Sequence, residues 1–161
     1  MGVLFNAGVE GIFSSNSDEW GTPEDVFYKL NKQYNFTLDA AASDNNHKCN
    51  KYYTKETNGL TKDWSNERVF CNPPYSEISL WSKKCYEESK KAEIIVMLIP
   101  SRTDTIYFHK YIYNIAEIIF IKGRLKFVSD QNSNTGAAPF PSMLVIYKEF
   151  KSITNQTTLF Q

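Results

Sequence analysis

The chain lacks the features that mark secreted, disulfide-stabilised and membrane proteins. Its 161 residues include only three cysteines, Cys49, Cys71 and Cys85, with no Cys-x-x-Cys spacing, which favours free thiols in a reducing compartment. No apolar run approaches the ~20 residues of a membrane span. The N-terminus has neither the positive region nor the long apolar core of a secretory signal. These absences predict a cytoplasmic protein without a membrane partner.

Glycine-rich phosphate loops and metal-binding patterns are missing as well. Neither Gly-x-Gly-x-x-Gly nor a Walker P-loop occurs, which weakens an assignment to nucleotide phosphates and leaves room for a nucleoside ligand without them. His47 and Cys49 stand two residues apart, but the zinc deaminase signature is absent. The sequence therefore predicts no metal site.

The chain also has no excess charge of either sign, because 18 basic residues balance 18 acidic ones. This balance argues against strong sequence-independent binding to a polyanion. Residues 101–127 are nevertheless locally basic, with only Asp104 and Glu117 as acids. The cations of this stretch form either a face for phosphates or an ordinary solvated surface: Arg102, Lys110, Lys122, Arg124 and Lys126.

What is present is an alternation of helical and strand-like segments. Thr22-Pro23-Glu24-Asp25 predicts the start of a helix, with Thr22 as the N-cap and Pro23 at the first position. Further helices are predicted at 77–91 and 101–115. Strands are predicted at 36–38, 68–71, 94–99, 117–121, 125–128 and 143–147.

This order predicts an α/β fold with a central, mostly parallel sheet and an antiparallel pair of strands at its C-terminal end. The continuously apolar run at 94–99 is typical of a central strand that is buried on both faces. We expect one domain over residues 20–150. It is preceded by an irregular arm (1–19) and followed by a polar tail (151–161).

A stiff loop, Asn72-Pro73-Pro74-Tyr75, directly follows the strand-like run that ends at Cys71. The prolines fix φ and bias the residue before them toward extended geometry. The loop presents an amide, unpaired carbonyls and an aromatic face, which together suit a flat molecule carrying an amino group. The alternatives are a purely structural turn and a short linear signal, and the latter would need a disordered neighbourhood.

A second polar side chain, Asp39, ends another predicted strand and is followed by the small residues Ala40, Ala41 and Ala42. A carboxylate in this position can bind a hydroxyl or a cationic group, and its other interpretation is a helix N-cap. Because ligands of open α/β sheets bind beyond the carboxyl ends of the strands, we expect Asp39 and Asn72 to face the same crevice.

In their order along residues 18–148, these motifs resemble the phage-type Dam family of DNA N6-adenine methyltransferases. The motifs that carry the resemblance are Trp20-Gly21-Thr22-Pro23 with Phe27, Leu38-Asp39-Ala40-Ala41-Ala42, Tyr52-Tyr53-Thr54, Gly59-Leu60, Trp64, Asn72-Pro73-Pro74-Tyr75, Leu98-Ile99-Pro100-Ser101-Arg102, Gly123-Arg124-Leu125-Lys126-Phe127 and Ala138-Pro139-Phe140-Pro141-Ser142.

The resemblance implies a Rossmann-like class I methyltransferase fold that uses S-adenosyl-L-methionine. The expected reaction is methyl transfer to the exocyclic N6 amine of an adenine flipped out of double-stranded DNA. The Asn72 side-chain oxygen and the Pro73 carbonyl would accept hydrogen bonds from that amine, and Tyr75 would stack on the base; Pro74 completes this catalytic motif. A phage or prophage origin would place the protein in the cytoplasm of a bacterial host.

The same resemblance implies further site residues. Cofactor binding is expected from Thr22, Pro23, Asp39, Ala40, Ala41, Asp63 and Asn72. DNA contacts are expected from Arg102, Arg124 and Lys126, and the 132–142 segment is either a DNA-contacting loop or a plain hairpin loop.

The chain departs from larger methyltransferases in two ways. Ser43-Asp44-Asn45-Asn46 stands where their cofactor loop carries glycines, and 161 residues leave no room for a separate target-recognition domain. Specificity would then come from loops or from a dimer, or it would be loose, so both a monomer and a homodimer stay open. Alternative functions are methylation of RNA or of a protein glutamine amide, and non-catalytic nucleic-acid binding.

Overall fold

A computed structural model describes residues 20–128 and 136–148 of the protein. The predicted arm (1–19) and tail (151–161) lie outside these residues, as does the first part of the 132–142 loop. Within the described ranges, no helix is long and apolar enough to cross a bilayer.

In the part of the chain that the structure describes, six strands form one sheet in the order β2-β1-β3-β4-β6-β5. β2, β1, β3 and β4 run parallel, whereas β6 lies antiparallel between β4 and β5. The prediction of an α/β fold with a mostly parallel sheet and antiparallel pairing at the C-terminal end is confirmed. The strands are β1 (Leu38–Asp39), β2 (Lys51–Tyr52), β3 (Arg68–Cys71), β4 (Ile94–Pro100), β5 (Glu117–Phe120) and β6 (Ser142–Lys148).

In the same described ranges, three α-helices and two 3-10 turns accompany the strands, and all but the first helix lie between strands. The helices are α1 (Glu24–Tyr34), α2 (Ile78–Glu88) and α3 (Ile106–Tyr111), and the turns span Gly59–Thr61 and Tyr75–Glu77. The expected N-cap is wrong, because Pro23 holds that position and α1 has no side-chain cap. α3 is also much shorter than the predicted helix at 101–115, since residues 101–105 are not helical and 112–115 form turns.

The C-terminal antiparallel pairing uses different segments from those predicted. Residues 125–128 do not join the sheet; Val128 instead forms an isolated bridge with Gly21. β5 takes their expected place as the partner of β6. The bridge joins the segment before α1 to the segment after β5. It lies next to the C-terminal ends of the parallel strands.

β4 is the centre of the core, and all seven of its residues are buried. It pairs with β3 on one side and β6 on the other. Two helices bury apolar side chains in the same core: Phe27, Leu30 and Tyr34 of α1, and Trp81 and Cys85 of α2. Full burial of such a side chain contributes about 1.5–3 kcal/mol to stability. This packing holds the helices against the sheet and so fixes where the strands end.

The register of the parallel strands brings the two predicted site residues together. Asp39 pairs with Phe70 of β3, and Asn72 follows two residues after Phe70. Both polar residues therefore emerge at the same edge of the sheet, as the topology predicts for a ligand crevice.

We predict that Gly59→Ala destabilises the fold, because Gly59 touches the backbone at the end of β1. An added Cβ would stand 2.2 Å from the Ala40 carbonyl oxygen and 3.1 Å from Cη2 of Trp81. Overpacking of this kind costs about 1–3 kcal/mol, which corresponds to a Tm lower by roughly 2–10 °C.

Thermal unfolding followed by circular dichroism tests this prediction. Gly136→Ala is the matched control, since its Cβ would meet no atom of the described residues within 4 Å. Equal melting temperatures for both variants would contradict the packing role of Gly59.

Candidate active site

A cleft of about 370 Å³ opens at the C-terminal ends of β1 and β3. This volume lies within the usual range of small-molecule sites. Six of the residues singled out from the sequence line it: Thr22, Asp39, Ala41, Asn72, Pro73 and Pro74. The prediction that Asp39 and Asn72 face one crevice is confirmed.

Asn72 connects the cleft to the segment that precedes α1. Its Nδ2 donates one hydrogen bond to the Trp20 carbonyl oxygen at 2.5 Å and another to Thr22 Oγ1 at 2.9 Å. A carbonyl oxygen can only accept, so the amide nitrogen must face Trp20. The opposite atom, Oδ1, is buried and has no hydrogen-bond partner among the described residues. Asn72 therefore has a free hydrogen-bond acceptor, Oδ1, beside the cleft.

Tyr75 lies next to Asn72 in a cluster of aromatic rings. Its ring is 7% exposed, and its hydroxyl has no partner among the residues described. Trp20 stacks nearly parallel to it, with ring centroids 6.3 Å apart and planes 14° apart, whereas Phe127 and Phe140 meet it edge-on. Burial raises the pKa of Tyr75 well above its usual value, so the phenol stays neutral. The cluster offers flat apolar faces beside an amide acceptor.

Asp39 is a buried carboxyl with incomplete hydrogen bonding. It is 3% exposed, and its Oδ2 accepts the Lys48 backbone N–H at 2.9 Å, while Oδ1 finds no partner in the described part of the chain. Burial raises its pKa to about 6, against the opposing effect of backbone hydrogen bonds and of nearby Lys48. No helix follows Asp39, which removes its interpretation as a helix N-cap. Its free oxygen is available to a cationic or hydroxyl group in the cleft.

Three other expected cofactor residues lie outside the cleft lining. Ala40 is fully buried behind Asp39, and Pro23 is the half-buried N-cap of α1. Asp63 is an exposed residue that pairs with Lys91 Nζ at 2.5 Å and accepts from Ser65 Oγ. Because the Trp64 side chain is completely buried, its neighbour Asp63 is left facing solvent. Asp63 is therefore not part of the described cleft lining, and its expected cofactor contact stays a prediction.

The sequence analysis gave no role to several lining residues. Trp20 and Gly21 line the cleft next to Thr22, and Gly59, Leu60 and Trp81 supply an apolar part of the wall. Trp20, Gly21, Gly59 and Leu60 belong to motifs that carry the family resemblance, but the sequence gave them no individual role, and Trp81 belongs to none of these motifs. The polar remainder comes from the loops after β1 and β2 and from the turn before α2: Ser43, Asn46, Lys48, Thr54, Lys55, Asn58, Ser76 and Glu77.

The expected DNA-binding residues flank the aromatic cluster. Arg102, Arg124 and Lys126 are all exposed. Arg102 is close enough to Tyr75 for its charge to lower the pKa of that phenol, although burial has the larger effect. Lys126 immediately precedes Phe127, whose ring lies 6.2 Å from that of Tyr75. Arg102 and Lys126 therefore lie near the aromatic cluster around Tyr75.

The chain is similar to phage proteins that methylate adenine. Residues 11–160 match the family model described as DNA N-6-adenine-methyltransferase (Dam). A DNA N-6-adenine-methyltransferase of Escherichia phage T1 is 41% identical over 110 residues, which are 67% of this chain and 46% of the phage protein. Another, from Haemophilus phage HP1 (strain HP1c1), is 31% identical over 139 residues, which are 83% of this chain and 80% of that protein. The match thus spans about half the length of the phage T1 relative.

We predict that Asp39→Asn stabilises the protein at pH 8 by roughly 1–3 kcal/mol, because it removes a buried, partly unpaired carboxylate. The Asp39 pKa is about 6 in the folded state against an ordinary value of 3.8. Wild-type stability relative to the variant is therefore fully present below about pH 4 and is lost as the pH rises through about 6.

Urea denaturation at a series of pH values from 4 to 8 measures this difference. Asp104→Asn, which removes an exposed carboxylate, is the control and should give no comparable trend. A stability difference for Asp39→Asn that does not grow between pH 4 and pH 7 would contradict the raised pKa.

Proposed function

The chain belongs to the DNA N-6-adenine-methyltransferase (Dam) family, and on this premise we propose that it transfers a methyl group from S-adenosyl-L-methionine to the N6 amine of an adenine in double-stranded DNA. The single observation that carries the proposal is the free acceptor of Asn72, a residue that lines the cleft directly after β3. We also propose that the sheet is of the Rossmann-like class I type, which its reversed strand β6 supports.

Asn72 has the chemistry that this reaction needs. The lone pair of an aryl amine is delocalised into the ring, so the amine is a weak nucleophile. Acceptors around its two N–H groups favour a pyramidal nitrogen and direct its lone pair at the methyl group. Asn72 Oδ1 and the Pro73 carbonyl are the proposed acceptors, and they act by positioning and electrostatics rather than as a strong base.

The cleft fits the methyl donor. The cofactor supplies an electrophilic methyl group on a sulfonium centre. Asp39 would hold a cationic or hydroxyl group of it through the unpartnered Oδ1. Thr22 and Ala41 line the same cleft, while Ala40 and Pro23 support the wall from behind. The volume of about 370 Å³ and a polar half beside an apolar half suit a nucleoside joined to an amino acid.

The aromatic cluster is the proposed base site. A base that stacks on an aromatic side chain gains about 1–3 kcal/mol, comparable with the few kcal/mol lost when a base leaves the duplex. Trp20 covers one face of Tyr75, so its indole must turn aside or share that face with the base.

Phosphate contacts are proposed for Arg102, Arg124 and Lys126, which are exposed cations of the chain. Because the chain has no net charge, these local cations would carry most of the attraction to DNA. The protein would act as a monomer or homodimer in the cytoplasm of a bacterial host.

We predict that Asn72→Ala abolishes methyl transfer to DNA while the protein stays folded. The variant removes the Oδ1 acceptor and the two amide hydrogen bonds to Trp20 and Thr22. Incorporation of label from radiolabelled S-adenosylmethionine is measured in parallel with unmethylated duplex DNA, RNA and total protein. Asn50→Ala, on an exposed residue outside the cleft, is the matched control.

The DNA, RNA and protein samples of this assay distinguish the proposed substrate from the alternative ones. Label in RNA or in protein but not in DNA would replace the proposed substrate by the other classes. DNA binding without any label transfer would show a non-catalytic nucleic-acid binder and would sink the proposal.

We predict that Tyr75→Ala lowers turnover about 5- to 100-fold, because stacking on the base is lost. Tyr75→Phe keeps the ring and removes only a hydroxyl without a hydrogen-bond partner in the described structure, so its turnover should stay close to wild type. Steady-state kinetics with duplex DNA give turnover, and calorimetric titration gives cofactor affinity. An equal loss of cofactor affinity in Tyr75→Ala would mean that Tyr75 belongs to the cofactor site instead.

A further inference from the structure

The orientation of the Asn72 amide depends on the segment before α1. Its nitrogen has two hydrogens, and both are used: one by the Trp20 carbonyl and one by the Thr22 hydroxyl. If the amide turned over, Oδ1 would face a carbonyl oxygen, which cannot donate, and the N–H groups would point at an amine that must itself donate. Only the observed orientation leaves an acceptor for the target.

Thr22 is the replaceable member of this pair, since the Trp20 partner is a backbone atom. Thr22 is 3% exposed and lines the cleft. Its hydroxyl caps no backbone N–H of α1, although its place before Pro23 favours such a cap. The main chain beside it is fixed by two hydrogen bonds between Gly21 and Val128, at 3.0 and 2.8 Å. The Thr22 hydroxyl is therefore held in place, and it accepts the hydrogen bond from Asn72 Nδ2.

We propose that Thr22 is a positioning residue, whose hydroxyl fixes the Asn72 amide so that Oδ1 faces the target amine. This inference rests on the proposed function. Thr22 acts through Asn72 and not on the reacting atoms. Its loss leaves one buried amide hydrogen unpaired and leaves the Trp20 carbonyl as the remaining anchor of the amide, so the position of Oδ1 is less narrowly defined. The effect therefore falls on turnover more than on cofactor affinity.

The first test is structural and needs no activity. In ¹⁵N-labelled protein, both Asn72 side-chain amide protons should exchange slowly with solvent. Thr22→Val keeps the shape of the residue but removes the hydroxyl, so one of the two protons should lose its protection and shift. Thr22→Ser should restore it. If Thr22→Val does not fold, Thr22→Ala takes its place. The alanine variant removes the hydroxyl and adds no methyl group in its position.

The second test is kinetic. Thr22→Val should lower kcat about tenfold, as expected for a buried donor left unpaired, and should change KM for S-adenosylmethionine less than about threefold. Thr22→Ser should recover most of kcat. Thr61→Val is the matched control, because its exposed hydroxyl serves only the Asn58 carbonyl in the 3-10 turn.

The outcomes distinguish this inference from the proposed function. Unchanged Asn72 amide signals in Thr22→Val would overturn the positioning role whether or not the protein methylates DNA. A raised KM for the cofactor with unchanged kcat would also overturn it and would make Thr22 a cofactor contact only. Altered Asn72 signals in a wild-type protein that methylates nothing would support the positioning contact and remove the proposed function alone.

Discussion

The contact on which the site depends is the pair of hydrogen bonds from the Asn72 amide to Trp20 and Thr22, residues that lie 52 and 50 positions away in the chain. It joins the end of β3 to the segment before α1. The bridge between Gly21 and Val128 then joins that segment to the residues after β5. Three distant parts of the chain thus meet at one loop. The aromatic contacts of Trp20 with Tyr75, Phe127 and Phe140 seal the junction.

The junction carries polar atoms that the fold leaves unpaired. Asp39 Oδ1, Asn72 Oδ1 and the Tyr75 hydroxyl are all buried without a partner among the described residues. Buried polar groups are nearly always paired in folded proteins, and an unpaired one costs about 1–3 kcal/mol. A ligand in the cleft would satisfy the free oxygens of Asp39 and Asn72, which line it, whereas Tyr75 lies outside the lining. The buried β4 and its neighbours supply the stability that offsets this cost, which is a familiar exchange of stability for function.

The sequence predicted well those elements that hydrophobic pattern and stiff loops define. β3 and β4 have strong apolar runs with sharp ends, and the Asn72 and Asp39 positions follow directly from them. The sequence failed where tertiary contacts override local preference. Thr22 has the setting of a helix cap, yet its hydroxyl serves Asn72 across the fold. β2 has only two residues and no alternation, and 125–128 has a strand-like pattern although its aromatic residue packs on Tyr75. Asp63 lies on the surface because the adjacent Trp64 turns inward, and no sequence pattern indicated this arrangement.

The position of Trp20 sets a condition on the proposed base site. In the free protein, Trp20 already stacks on Tyr75, so a base that displaced it would exchange one stacking contact for another. Such an exchange would leave most of the few kcal/mol of base flipping without compensation. The cost of base flipping is offset if the base stacks on Tyr75 with one face and on the Trp20 indole with the other, because both rings then contribute. The centroids are 6.3 Å apart, and two stacked layers need roughly 7 Å. Since the Trp20 main chain is held by Asn72, rotation of its side chain alone would have to open that space.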